Sequence, residues 1–149
     1  MTSGFDAGRP RASWGLWLVG VVAVLKYGLG CLDYVMTQTQ GDAWLANMEP
    51  TQTQLDWFHA LPAWYDAAWA LFVWAGLLGG VLLLMRRKWA VHAFVASFLG
   101  WAVGAVYAFA LSNGMEVMGP WWPIQIVHAA AAAFFLWYAS KGVRKGVLR

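Results

Sequence analysis

Cysteine is nearly missing from this chain. Cys31 stands alone, which excludes an intrachain disulfide, a CxxC redox pair and a thiolate-rich metal site, and with them a quinone-linked disulfide oxidoreductase. Charge is scarce too. Lys, Arg, Asp and Glu supply 11% of the residues, against about 25% in soluble proteins. Catalytic signatures are also missing: there is no Gly-rich phosphate loop, nucleophile elbow or HExxH, and the chain is expected not to be an enzyme. The net charge of +3 does not point to nucleic acid. Its basic residues stand in short runs beside apolar segments, with no basic stripe of interleaved exposed aromatics.

Long apolar runs and tryptophan fill the space. Apolar residues make up 61% of the 149, and Trp occurs 12 times. Residues 14–36 form the run around which the chain is organised, long enough to cross the ~30 Å hydrocarbon core of a bilayer. It is longer than the ~7–15-residue core of a signal peptide, contains Lys26 and has no small-x-small site after it. Comparable runs occupy about 61–85, 89–111 and 121–140. The expectation is one membrane domain over 1–149, an all-α bundle of four transmembrane helices. Pro62 and Pro123 fall in first turns, where a missing N–H is tolerated.

Orientation follows from charge. Nine of the ten Lys and Arg lie in the N-terminal tail (Met1 to Ser13), the turn at Arg86-Arg87-Lys88 or the tail Lys141 to Arg149. Asp42, Glu49, Asp56 and Glu116 lie in the other two loops. The positive-inside rule then places both termini in the cytoplasm, in the inner membrane of a bacterium. Trp14, Trp17, Trp89, Trp137 and Tyr138 mark the inner aromatic belt, and Trp57, Trp64, Trp121 and Trp122 the outer one. In the first periplasmic loop, Glu49-Pro50-Thr51 resembles a helix start. Leu55, Trp57, Phe58 and Leu61 then form the apolar face of a short interfacial helix, or else belong to a plain connecting loop.

Several polar residues interrupt the spans. Lys26, Gly30, Asp33 and Thr37 recur at i, i+4, i+7 and i+11, one face of a helix. A charge at mid-membrane costs about 2.5–3.5 kcal/mol even on lenient scales, so this face should turn inward. The second span adds Asp66, the third Tyr107, and the fourth Gln125 and His128 at i, i+3. Lys26, Asp33, Asp66, Tyr107, Gln125 and His128 are therefore the candidate ligand or ion site. The same residues would equally suit an internally neutralised network that locks four helices in register. If Lys26 is paired, Asp33 and Asp66 are the expected partners.

No metal site is expected, because His59, His92 and His128 fall at different depths. The depth mismatch also disfavours a haem between His92 and His128. Single-histidine ligation of haem or a chlorophyll-type pigment, through His92 or His128, stays open. Gly76/Gly80 and Gly100/Gly104 are small-xxx-small pairs suited to packing within the chain or to self-association.

Asp33-Tyr34, Leu61-Pro62-Ala63-Trp64, Gly76-Leu77-Leu78-Gly79, Leu84-Met85-Arg86-Arg87-Lys88-Trp89-Ala90, Leu111-Ser112-Asn113-Gly114, Val117-Met118-Gly119 and Leu136-Trp137-Tyr138 together resemble an uncharacterised family of small four-helix bacterial inner-membrane proteins. Its members are sometimes labelled sugar transporters. The resemblance covers the first span to the C-terminus and implies four membrane helices, with no catalytic residues assigned.

The leading expectation is a non-enzymatic accessory or binding protein, associated with other membrane subunits or a lipid-like ligand and surrounded by membrane lipids. The alternative is a small oligomeric transporter using Lys26, Asp33 and Asp66. It is similar to small multidrug exporters in helix count, but they carry a membrane-embedded glutamate where this chain has Lys26 and Asp33. A third is a cofactor-binding electron-transfer subunit.

Overall fold

The computed structural model describes residues 14–149; the tail read above as residues 1–13 lies outside the described residues. Among those residues there is helix and no strand. Helices α1 (Trp14–Gln40), α2 (Asp42–Leu45), α3 (Gln52–His59), α4 (Ala63–Leu84), α5 (Ala90–Val106), α6 (Gly114–Met118) and α7 (Ile124–Arg144) follow in order. Four stretches are long and apolar enough to cross a membrane: Trp14–Gln40, Ala63–Leu84, Ala90–Leu111 and Ile124–Arg144.

The boundaries differ from the sequence reading in instructive ways. The first span runs on to Gln40 rather than fading at Thr37. Polar side chains do not stop a helix, and Thr39 donates its hydroxyl to the Val35 carbonyl at 2.8 Å. The stop comes at Gly41, whose φ of 53° takes the chain out of helical geometry at little steric cost. The second span ends where Arg86 adopts a left-handed φ of 58°, with the Arg86 and Arg87 amides folded back on Leu83 and Leu82, the geometry of a helix stop. Pro62 and Pro123 sit one position before α4 and α7 rather than inside their first turns. The third span closes in a π-helical turn, Tyr107–Leu111. Ser112 ends it, its hydroxyl accepting from the Gly114 amide at 3.2 Å.

The C-terminal segment differs most. α7 continues to Arg144, and the rest of the basic tail docks on the turn between α4 and α5. Lys88 N–H donates to Arg149 O at 2.8 Å, and Arg149 N–H to Arg86 O at 2.9 Å. Leu148 is buried against Gly142.

In the loop after α1, the helix start lies at Thr51. Thr51 accepts from the Gln54 amide, while the Gln54 side chain accepts from the Thr51 amide, a complete capping box. Pro50 and Glu49 stand before this helix instead of in its first turn.

The core is aromatic and glycine-lined. α1 packs on α4, α4 on α5 and α5 on α7, while α1 and α7 meet through side chains, among them the rings of Tyr27 and Phe135. Tyr27 is 1% exposed and touches the rings of Phe72, Phe94 and Phe135 at centroid distances of 5.6, 6.4 and 5.9 Å. The small-residue pairs admit these contacts. A Cβ on Gly76 would sit 2.3 Å from the Tyr27 ring, and one on Gly80 would sit 3.0 Å from the Val24 amide nitrogen. The Gly76/Gly80 face is therefore occupied by α1 of the same chain. Gly100 receives the α4 backbone, whereas Gly104 meets only Tyr65 Cε2 at 3.7 Å. Ser97, fully buried, donates to the Phe72 carbonyl at 2.7 Å and ties α5 to α4.

Candidate functional site

The polar face of α1 turns toward α4. Gly30 lies against Val73, and a Cβ there would be 3.0 Å from Val73 Cγ1. Two turns beyond Lys26, Asp33 and Thr37 reach a cavity of about 260 Å³. Its other walls come from four regions. The segment after α1 contributes Leu45, Met48, Trp57, Phe58 and Leu61. α4 contributes Tyr65, Trp69 and Phe72. From α5 come Gly100, Trp101, Gly104 and Ala105, with Ala108 of the π turn after it, and from the last part of the chain Met118, Gln125 and His128.

The α2–α3 segment roofs this space and is fastened at several points. Trp44 Nε1 donates to Asp33 Oδ1 at 2.9 Å. Gln54 Nε2 donates to the Val117 carbonyl at 3.1 Å, and Trp57 Nε1 to Ser112 Oγ at 3.3 Å. His59 Nε2 lies 2.7 Å from Asp42 Oδ1, but both side chains are exposed, so this pair contributes little.

The six candidate residues do not form one cluster. Asp33, Gln125 and His128 line the cavity; Lys26, Asp66 and Tyr107 do not. Gln125 Oε1 accepts from Trp101 Nε1 at 3.3 Å, and its amide faces Met118 Sδ at 3.8 Å, both weak contacts. The His128 ring meets Phe72 edge-on at 5.8 Å. Tyr107 meets Trp64 edge-on and Trp57 and Tyr65 at tilted angles, holding α3 and α4 to the π turn. Asp66 is half-buried in the first turn of α4 and makes no hydrogen bond or ion pair among the described residues.

The expected pairing of Lys26 with Asp33 or Asp66 is absent. The one ion pair among the described residues is His59 with Asp42. Lys26 Nζ instead lies over the rings of Tyr27 and Phe72, 4.0 and 4.9 Å from their centroids, a cation–π arrangement. The reason is geometric. Seven residues separate Lys26 from Asp33, about 10 Å along the helix, and the Lys26 ammonium is already held over the Phe72 ring of α4. Lys26→Met should therefore leave the thermal midpoint in detergent within a few degrees of wild type. Adding Asp33→Asn should show a coupling near zero, below about 0.5 kcal/mol. A strongly destabilised single variant rescued by the second would restore the ion pair.

The histidines occupy three separate places. His92 lies exposed beside Trp89, ring centroids 4.9 Å apart, while His59 is on the roof and His128 at the cavity. Among the described residues no three His, Cys, Asp or Glu side chains gather to hold a metal ion. Sequence reasoning missed the aromatic walls, above all Trp69 and Trp101. Both read as ordinary span residues, and only the packing of α4 and α5 aims them inward.

Fold and cavity together define a class, an all-helical protein among the described residues, with four helices of membrane length that each contribute to the wall of an off-centre cavity. No protein-family model, curated protein or solved structure matches the chain.

Proposed function

We propose that this chain is a four-span bacterial inner-membrane protein, both termini cytoplasmic, that binds a small lipid-like ligand as an accessory protein and carries out no chemistry of its own. The cavity carries this reading: mainly aromatic and aliphatic walls, with Asp33, Thr37, Tyr65, Gln125 and His128 as the polar side chains besides the indoles, suit a mostly apolar molecule with one polar end. The membrane setting is supported by the outward faces of the long helices. Leu25, Leu29, Leu99 and Val127 are each more than half exposed, which water would penalise and lipid would not. The separation along the sequence of nine basic residues from the four loop carboxylates supports the orientation. Cysteines at Ala43 and Glu116, but not at Lys145, should react with an impermeant maleimide added to intact cells; Cys31 is buried. Labelling of Lys145→Cys alone would reverse the orientation.

A transporter built on Lys26, Asp33 and Asp66 has less support, because only one of the three reaches the cavity. An electron-transfer role has less as well, because His92 and His128 stand apart.

Ligand occupancy is tested by filling the cavity. A Cβ at Gly104 meets nothing closer than 3.7 Å, so Gly104→Phe should project a ring into the cavity without displacing backbone. In native mass spectrometry, wild type should carry a bound molecule of fixed mass that Gly104→Phe loses while remaining folded. An unchanged adduct in Gly104→Phe would remove the cavity from the function.

A further inference from the structure

The polar end of the cavity has a definite charge character. Asp33 is the only carboxylate on its wall. The hydrogen bond that carboxylate receives comes from a neutral donor, the Trp44 indole N–H, which leaves its charge uncompensated. Lys26 and His128 both lie against Phe72, Lys26 Nζ 4.9 Å from the ring centroid and the His128 ring edge-on at 5.8 Å, while His59 on α3 is paired with Asp42. The cavity that Asp33 lines is rich in aromatic rings: Trp57, Phe58, Tyr65 and Trp69 are all on its wall.

We infer that the cavity takes an organic ammonium cation, its charged head at Asp33 among these aromatic rings and its apolar body directed toward Trp101 and His128. This rests on the reading of the cavity as a ligand site and specifies which ligand it selects. The physics is one-sided. An aromatic face presents the negative lobe of its quadrupole, so several rings around a carboxylate attract a cation twice over. An anion would be repelled at the same place. A neutral guest would cover Asp33 and strip its water without supplying a counter-charge, a cost that a cation avoids. The Lys26 charge behind Phe72 reinforces the polarity, repelling a cationic head from the inner end. A weakly hydrated alkylammonium is favoured over a small inorganic cation, because the walls offer few oxygen ligands to replace a hydration shell.

The test compares two molecules of the same shape, benzyltrimethylammonium and neopentylbenzene, in which a carbon replaces the charged nitrogen. Equilibrium dialysis of radiolabelled benzyltrimethylammonium against the full-length protein in dodecyl maltoside should show saturable binding. Neopentylbenzene should displace it poorly. Asp33→Asn keeps an oxygen for Trp44 and removes the charge, and should weaken binding roughly thirtyfold. Gly104→Phe should abolish it. Equal binding by Asp33→Asn, displacement by neopentylbenzene as effective as by unlabelled cation, or no saturable binding by wild type would each overturn the cation assignment. None of these removes the ligand site itself. That fails separately, when the native adduct persists in Gly104→Phe.

Discussion

Gly100→Val is expected to be the most damaging single substitution in the chain. A Cβ at Gly100 would lie 2.7 Å from both the Ala68 carbonyl oxygen and the Phe72 amide nitrogen, and 3.1 Å from Phe72 Cα. These are backbone atoms in mid-helix, so no side chain can swing away to relieve the clash. α4 and α5 would have to separate, and with them would go the fully buried bond from Ser97 to Phe72 O. Overpacking a core costs about 1–3 kcal/mol where side chains can adjust; here the cost should exceed that range. The expected result is little or no monodisperse protein in detergent. Gly104→Ala, one turn along the same helix but facing the cavity, should purify normally. Were Gly100→Val to melt with wild type, α4 and α5 would not approach each other this closely.

Tyr27→Ala should follow in severity. The ring fills the meeting point of all four long helices, and Gly76 is shaped to receive it. Among apolar surroundings the transfer of surface out of water contributes little, so the loss falls on van der Waals contacts and on the void left behind. Aromatic-to-alanine changes in protein cores cost about 3–5 kcal/mol, and a drop of that order in detergent stability is expected. Tyr27→Phe discriminates the ring from its hydroxyl. That hydroxyl is buried near Ser97 without a hydrogen bond of acceptable geometry. Removing it should therefore be neutral or raise the melting temperature slightly. A large loss in Tyr27→Phe would mean that the hydroxyl is bonded after all, most directly to Ser97.

The Gly76 and Gly100 contacts also show how small-residue pairs divide their duties. Three of the four glycines seat a neighbouring helix of the same chain. Gly104 is left facing space, and that space is the cavity. The sequence spacing marks all four alike, since a small residue reads the same whether it meets a helix or a void.

Run length and charge by themselves determined that the chain has four helices of membrane length, because twenty or more apolar residues in a row bury their own backbone bonds in a helix. Periodicity alone determined that Lys26, Gly30, Asp33 and Thr37 share a face, and that face does turn toward α4. The short helix before the second long one was half legible: Glu49-Pro50-Thr51 reads as a helix start, a plain connecting loop fits the same residues, and the capping bonds between Thr51 and Gln54 decide for the helix. The tertiary structure decided what depended on neighbours distant in sequence. It brought Asp33, Gln125 and His128 to one cavity and left Lys26 over Tyr27 and Phe72 without a carboxylate. It aimed Trp69 and Trp101 at that cavity and folded the basic tail onto the Arg86–Lys88 turn. The physical reason is the same throughout: a helix fixes the angle between its own residues, but rotation about its axis and depth against the next helix are set by which ring fits over which glycine.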